Sequence, residues 1–229
     1  ASGSDALMKA CAIGNAETVK HWLARFPDWD LERQEKWAGF TALGFAVGLG
    51  TTKQPLVKVL LEARANVHHV NSGGGNLLCS LAHKEGADLA TLALLLEAGC
   101  SVNHALLPRN PAVKVFYRGM CFLEICTGSR LFAECAMWHG STPLHFAAKR
   151  GDVPLVKSLL EAKALVQKNR QARTPLDVAR AFFGLVPATL EAAFAEHRQP
   201  CRAPKARKCL GCSLLEGPRS PTAPNDRAV

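Results

Sequence analysis

Several histidines of this 229-residue sequence have side chains that could act in catalysis or bind a metal ion. His145 could act as a general base or a metal ligand, but no motif places a nucleophile beside it. His68 and His69 are adjacent, and neighbouring side chains on a turn seldom converge on one metal ion. A structural hydrogen-bonding role is the better interpretation for His145, and the pair is not predicted to bind metal.

A glycine-rich stretch, Ser72–Gly75, resembles a loop that cradles phosphate. Such loops follow a strand and, in the Walker form, end in Gly-Lys-Ser/Thr at the start of a helix. Here Asn76 and Leu77 follow the glycines. The stretch is therefore predicted to be a flexible turn and not a cofactor site.

The C-terminal region holds a third set of reactive types: His197, Cys201, Cys209 and Cys212. Zinc accepts thiolate and imidazole ligands, but only one closely spaced cysteine pair is present, so a zinc site is disfavoured. Palmitoylation of these thiols beside basic residues and nuclear import through Lys205–Lys208 are weaker alternatives. The sequence thus predicts no catalytic residue, no cofactor and no metal.

Composition indicates a folded chain without a membrane span. Hydrophobic residues make up 48%, mean hydropathy is +0.02, and no apolar run approaches the roughly 20 residues of a spanning helix. The nine cysteines are odd in number and lie mostly within apolar segments, as free thiols in a reducing compartment do. A cytoplasmic location is expected, with the nucleus as the alternative. The absence of an initiator Met is compatible with a fragment or a processed chain.

Charge and proline are concentrated at the C-terminal end. Of the net charge of +9, residues 198–229 contribute +5, from seven Lys/Arg and two Asp/Glu, and they hold five of the thirteen prolines. This composition predicts a disordered tail. Nucleic-acid binding is expected, if at all, only through this basic tail.

The rest of the chain repeats. Leu-Leu-Glu-Ala occurs at 60–63, 95–98 and 159–162, at intervals of 35 and 64 residues. A second pattern recurs with a similar period: an alanine stands four residues before a glycine at Ala10, Ala46, Ala82 and Ala147. A period of about 33 residues is typical of stacked repeat architectures.

The units resemble ankyrin repeats, whose Thr-Pro-Leu-His-x-Ala signature matches Thr142–Ala147 completely. Thr174–Ala179 carries Asp at the His position, and Thr41–Ala46 is a weaker match. Thr142 suits a helix N-cap, and Pro143 suits the first helical position, where a missing N–H costs nothing. Gly151 can adopt the left-handed conformation that ends such a helix. The resemblance implies an all-α solenoid of stacked helix-turn-helix units.

Units are expected near 5–36, 39–74, 75–106 and 140–171, with a C-terminal cap at 172–197 and the tail at 198–229. Residues 107–138 lack the signature, but Pro111 and Gly119 are spaced like Pro143 and Gly151. This favours a degenerate repeat at 107–138 over an inserted loop, although Gly128 falls where a second helix should be. About five to six repeats are therefore predicted.

Repeats of this family imply a non-enzymatic scaffold or adaptor that binds a protein through turn tips and a concave helix face. The alternative is a regulatory or substrate-recognition segment of a larger protein, such as an enzyme or a ubiquitin-ligase adaptor. The partner's identity is beyond the sequence, and a monomer is expected.

Partner contacts are predicted at exposed turn and first-helix positions. Trp37 and Trp138 occupy the same slot of their units, and Trp and Arg are enriched in binding hot spots. Three intervening repeats would place the two indoles about 25–30 Å apart. The predicted contact residues are Trp37, Phe40, Trp138, Ser141, Lys149, Arg150, Arg170 and Arg173.

Overall fold

The computed structural model describes residues 3–36, 38–48, 54–84, 86–127 and 136–197. This part of the chain is helical, as the repeat pattern predicts. Its helices are α1 (Gly3–Ile13), α2 (Ala16–Arg25), α3 (Ala42–Gly48), α4 (Gln54–Glu62), α5 (Leu77–His83), α6 (Leu89–Glu97), α7 (Pro111–Thr127), α8 (Pro143–Arg150), α9 (Val153–Glu161), α10 (Pro175–Phe183) and α11 (Ala188–Glu196).

Ten of these helices form five pairs stacked in two layers. The first helices of the pairs pack in the order α1, α3, α5, α8, α10, and the second helices in the order α2, α4, α6, α9, α11. Between the layers lies one continuous apolar core. The second helices bury one face each, whereas the first helices are buried on most sides, as α8 is from Pro143 to Ala148. Each pair therefore depends on its neighbours for burial.

Helix ends follow the sequence signals. Thr142 precedes α8 with Pro143 at its first position, and Gly151 ends the helix with φ +68°, in the left-handed region. Asp88 and Asp152 accept backbone N–H bonds at the starts of α6 and α9. The residue after each Leu-Leu-Glu-Ala also has a positive φ, at Arg64, Gly99 and Lys163.

A short hairpin, which we call a finger, precedes the first helix of each pair after the first. Each finger takes the number of the pair that it precedes, so the fingers are numbered from the second to the fifth. Its closing bonds run from Glu35 N–H to the Phe40 carbonyl (2.9 Å), from Asn71 to Gly75 (3.0 Å) and from Asn169 to Arg173 (2.9 Å). Neighbouring fingers are also joined, since Ser72 N–H donates to Ala38 O (2.9 Å) and Arg170 N–H donates to His139 O (3.1 Å). The fingers therefore form a hydrogen-bonded row beside the helices.

The fourth finger contains a long insertion, which corrects the predicted degenerate repeat. Leu106 N–H donates to the Ser141 carbonyl and Gly140 N–H donates to the Leu106 carbonyl, both at 2.8 Å. Residues 35 apart in sequence thus make the closure that residues four or five apart make elsewhere. Helix α5 packs directly on α8, and the Asn103 amide bonds Lys163 O and Leu165 N–H across the two loops. Among the described residues, no helix pair lies between the third and fourth pairs.

The described part of the insertion contributes α7, a helix of 17 residues, and helical residues 136–138 just before the closing residues of the finger. Pro111 begins it, but Gly119 does not end it; this glycine lies within the helix. Residues 128–135 lie outside the described residues, as do the tail 198–229 and Trp37.

Candidate functional site

The His145 side chain is a structural crosslink. Its Nδ1 accepts the Thr142 backbone N–H (3.1 Å), so Nε2 carries the proton and donates to the Arg173 carbonyl of the next finger (3.2 Å). The residue is fully buried, and this burial lowers the pKa of the imidazole to about 4. A neutral imidazole with both nitrogens occupied is not available as a base, in agreement with the predicted structural role.

Two other histidines bond one finger to the one before it. His69 Nε2 donates to the Gly39 carbonyl (2.7 Å), and His104 Nε2 donates to the Gly74 carbonyl (2.9 Å). Both histidines lie two residues before the finger-closing position. Within the described residues, no group of three or more His, Cys, Asp or Glu side chains could hold a metal ion.

The finger that carries the glycines is shaped by the insertion. Gly74 has φ +86°, and a Cβ at this position would overlap the Leu107 carbonyl and the Pro108 nitrogen. A side chain is excluded because the insertion's backbone crosses directly over the turn. The glycine at position 74 thus has a steric explanation.

Trp138 is part of an aromatic cluster between two first helices. Its ring lies 4.8 Å from His83 and 6.3 Å from Phe146, centroid to centroid, in edge-on geometry. Arg150 spans the same junction, with Nη1 donating to the His83 carbonyl (2.9 Å). The indole is half-buried, so packing accounts for part of its role, and its other part faces outward.

The remaining predicted contact residues differ in accessibility. Ser141 is fully buried and its hydroxyl donates to the Met137 carbonyl (2.5 Å), so its prediction as a surface contact is wrong. Lys149 is partly exposed and lies 4.4 Å above the Phe182 ring. Arg170 is exposed, while Arg173 is half-buried.

Phe40 is half-buried against Phe45, with ring centroids 5.8 Å apart, and Trp37 lies outside the described residues. Since α5 packs on α8, the fingers of Trp37 and Trp138 are two repeats apart in the stack, not three. The expectation of about 25–30 Å between the two indoles rested on three intervening repeats, and because Trp37 lies outside the described residues that distance stays a prediction.

Charge divides between the two layers, which the sequence alone did not reveal. The first helices, fingers and α7 carry thirteen Lys/Arg and four Asp/Glu, a balance of +9. The second helices and their loops carry six Lys/Arg and eleven Asp/Glu, a balance of −5. The first set comprises 3–13, 33–48, 69–84, 103–127, 136–150 and 167–183, and the second 14–32, 54–68, 86–102, 151–166 and 184–197. The two signs of charge alternate along the chain because first and second helices alternate, so the division appears only in the stacked arrangement.

Positive charge is continuous from the insertion to the array. The Tyr117 ring stacks on His139 at 6.0 Å between centroids and 15° between planes. The pKa of His139 lies below its usual range because the ring is buried and because Arg170 and Arg118 repel a proton there. Arg118 of α7 and Arg170 of the last finger thus act on the same imidazole.

Three buried thiols of the array, those of Cys11, Cys79 and Cys100, are not activated as nucleophiles. Burial raises the pKa of Cys11 and Cys79 to about 12 and that of Cys100 to about 11, so these groups are protonated at neutral pH. Among the described residues, no helix is long and apolar enough to cross a bilayer.

Helix pairs stacked in two layers and joined by a row of fingers define a helical repeat solenoid. The ankyrin repeat family model matches residues 139–170, which contain α8, α9 and the end of the fourth finger. The chain is therefore an ankyrin-repeat protein, and its repeats are of the kind that mediates protein–protein interaction. No curated protein matches the chain.

Proposed function

We propose that this protein is a non-enzymatic scaffold or adaptor that binds an acidic protein partner through its first helices and fingers. The observation that carries the proposal is the division of charge, +9 on this layer against −5 on the other. Complementary potentials steer association and exclude partners of like charge. A partner with an acidic surface is directed to the first-helix layer and away from the second.

The layer also supplies groups that bind by more than charge. Trp138 and Phe40 present part of their rings, and Lys149 and Arg170 lie within the same row of first helices and fingers. Aromatic and arginine side chains together are typical of interface centres. Buried free thiols favour a reducing compartment, so a cytoplasmic or nuclear location is part of the proposal.

Charge reversal on one layer at a time tests the proposal. The variant Lys149→Glu with Arg170→Glu changes the first-helix layer, and Lys20→Glu with Lys163→Glu makes the same change in net charge on the second layer. Cell extract, with and without nuclease treatment, is passed over each protein, and bound proteins are quantified by mass spectrometry at low and high salt. The first variant should lose acidic, salt-sensitive partners that the control retains.

Three results would count against the proposal: equal losses in both variants, captured proteins that are mainly basic, or binding that depends on nucleic acid and vanishes with nuclease. Far-UV circular dichroism of each variant verifies that the helices are intact.

A further inference from the structure

Helix α7 exposes large apolar side chains on one face. Val115 is 69% exposed, Phe122 65% and Phe116 52%. Val115, Gly119 and Phe122 are spaced by four and three residues, so they align along one side of the helix, and Phe116 borders them. A Cβ at Gly119 would meet no atom within 4 Å, which leaves a notch between the two larger side chains.

The opposite side of α7 is fixed to the array. Tyr117 is 5% exposed, its ring stacks on His139, and its hydroxyl lies close to Gly73 of the third finger. The preceding chain is held at Gly74, over which the Leu107 backbone crosses. Because one face is anchored on the fingers, the apolar face has a defined outward orientation.

Basic residues line one edge of the exposed stripe. Lys114 and Arg118 are one turn apart on the same side of it, and both side chains are exposed. Arg118 continues toward Arg170 across His139, so this edge joins the positive first-helix layer. An apolar stripe with a basic edge complements a helix that has an apolar stripe with an acidic edge.

We propose that the outer face of α7 is a docking site for an acidic amphipathic helix of the protein partner. This inference rests on the proposed function, because it names the form of the segment by which an acidic partner attaches. Val115 and Phe122 supply the apolar contacts, Gly119 receives a side chain of the bound helix, and Lys114 and Arg118 pair with its carboxylates.

The same features disfavour other occupants. A second copy packed antiparallel would place the Lys114 and Arg118 edge against its own equivalent, and like charges repel. Anionic lipid surfaces are recognised by clusters of about four to eight basic residues. Helix α7 itself carries two, Lys114 and Arg118. The notch at Gly119 suits a side chain of a helix better than a flat bilayer.

Selection from a displayed library of random peptides, each about 18 residues or five helical turns long, tests the inference on the full chain. Enriched sequences should be acidic, with apolar residues at helical spacing. Phe122→Ser and Val115→Ser should each weaken binding of the selected peptides by about tenfold or more. Lys114→Glu with Arg118→Glu should weaken it similarly and remove its salt dependence.

The control is Leu185→Ser, which removes an apolar side chain that is 83% exposed elsewhere on the surface and should leave affinity unchanged. Neutral or basic enriched peptides, or affinities that the α7 variants do not alter, would overturn the docking site. So would a dimer in sedimentation that Phe122→Ser dissociates, or direct binding of the protein to phosphatidylserine vesicles.

The two proposals fail separately. If Lys149→Glu with Arg170→Glu weakens peptide binding while the α7 variants do not, the first-helix layer binds acidic segments and the α7 site is wrong. If the α7 variants alone weaken it, the α7 site stands and the first-helix layer is not the surface for these peptides. If neither set has an effect, both proposals are wrong.

Discussion

His145 connects the start of α8 to the following finger, and the bond that its Nδ1 accepts from Thr142 requires the neutral ring. A second proton would fall on Nδ1, which already accepts the Thr142 N–H, and would also place a charge in the core. The residue that completes the family signature therefore makes folding sensitive to acid.

Stability should fall between about pH 6.5 and pH 4. The folded-state pKa of about 4 lies below the usual value of 6.5, so the unfolded chain takes up the proton first as pH falls. The loss attributable to His145 is at most about 3.5 kcal/mol, from roughly 1.4 kcal/mol per pKa unit over about 2.5 units. Urea unfolding at a series of pH values measures it. His139 acts in the same direction, so His145→Gln, which removes the titrating group, isolates the contribution of His145.

Gly74→Ala should be more harmful than Gly86→Ala. Both glycines have positive φ, so each substitution carries backbone strain of about 1–2 kcal/mol. Only at Gly74 does the new Cβ meet backbone, that of Leu107 and Pro108, whereas nothing lies within 4 Å at Gly86. Thermal melts should show the larger decrease for Gly74→Ala. Equal decreases would mean that the insertion is not seated on the finger.

At the scale of elements, the insertion should be removable. Joining Leu106 directly to Trp138 deletes residues 107–137 and leaves Leu106, Trp138, His139, Gly140 and Ser141, the length of the finger Asn71–Gly75. The shortened protein should fold cooperatively, since α5 already packs on α8. Circular dichroism should show the loss of α7 and of helical residues 136–137, with the ten paired helices retained. Failure to fold would show that the array needs the insertion's own contacts.

Core and surface positions of the fourth pair should differ sharply. Leu159 is fully buried between the layers, so Leu159→Ala is expected to cost about 2–5 kcal/mol. Arg150 makes a partly exposed bond to the His83 carbonyl, and Arg150→Ala is expected to cost well under 1 kcal/mol. Chemical denaturation measures both, and equal costs would contradict the register assigned to this pair.

The sequence predicts those helices whose ends and buried faces are set by nearby residues. Pro143 and Gly151 delimit α8 through backbone conformation, and the leucines of Leu-Leu-Glu-Ala recur because the core requires them. The insertion was misread because Pro111 begins a helix in any context, and Gly119 is tolerated inside one where nothing packs against it. The missing signature in 107–138 was the better evidence. Stacking of α5 on α8 is a long-range contact that no local pattern encodes.

Most candidate contact residues were predicted from their position within the repeat, and equivalent positions in different repeats need not be equally buried. Ser141 precedes the N-cap as Arg173 does, yet it is fully buried while Arg173 is not. The difference arises from neighbours, because Asn169 of the next finger bonds both the Ser141 hydroxyl and the Met137 carbonyl. Only the three-dimensional arrangement of fingers supplies that information.

For the whole molecule, the C-terminal tail should be dispensable for stability. Residues 198–229 carry +5 and five prolines and lack the apolar residues needed for a core. Removing them should leave the melting temperature nearly unchanged in differential scanning calorimetry. A decrease of more than a few degrees would mean that the tail packs on the array.

The closure between Leu106 and Ser141 also bears on how the array assembles as it folds. Other fingers close over four or five residues, so their pairing costs little chain entropy, whereas this one closes over 35. The loop-closure relation makes this step costlier by about 2 kcal/mol, although α7 and its contacts recover part of that in the native state. Stability in a linear array propagates from neighbour to neighbour, and a costly junction weakens that propagation. We therefore expect the three pairs before the insertion and the two pairs after it to fold and unfold as two cooperative units. The boundary between these units would be the α5–α8 interface.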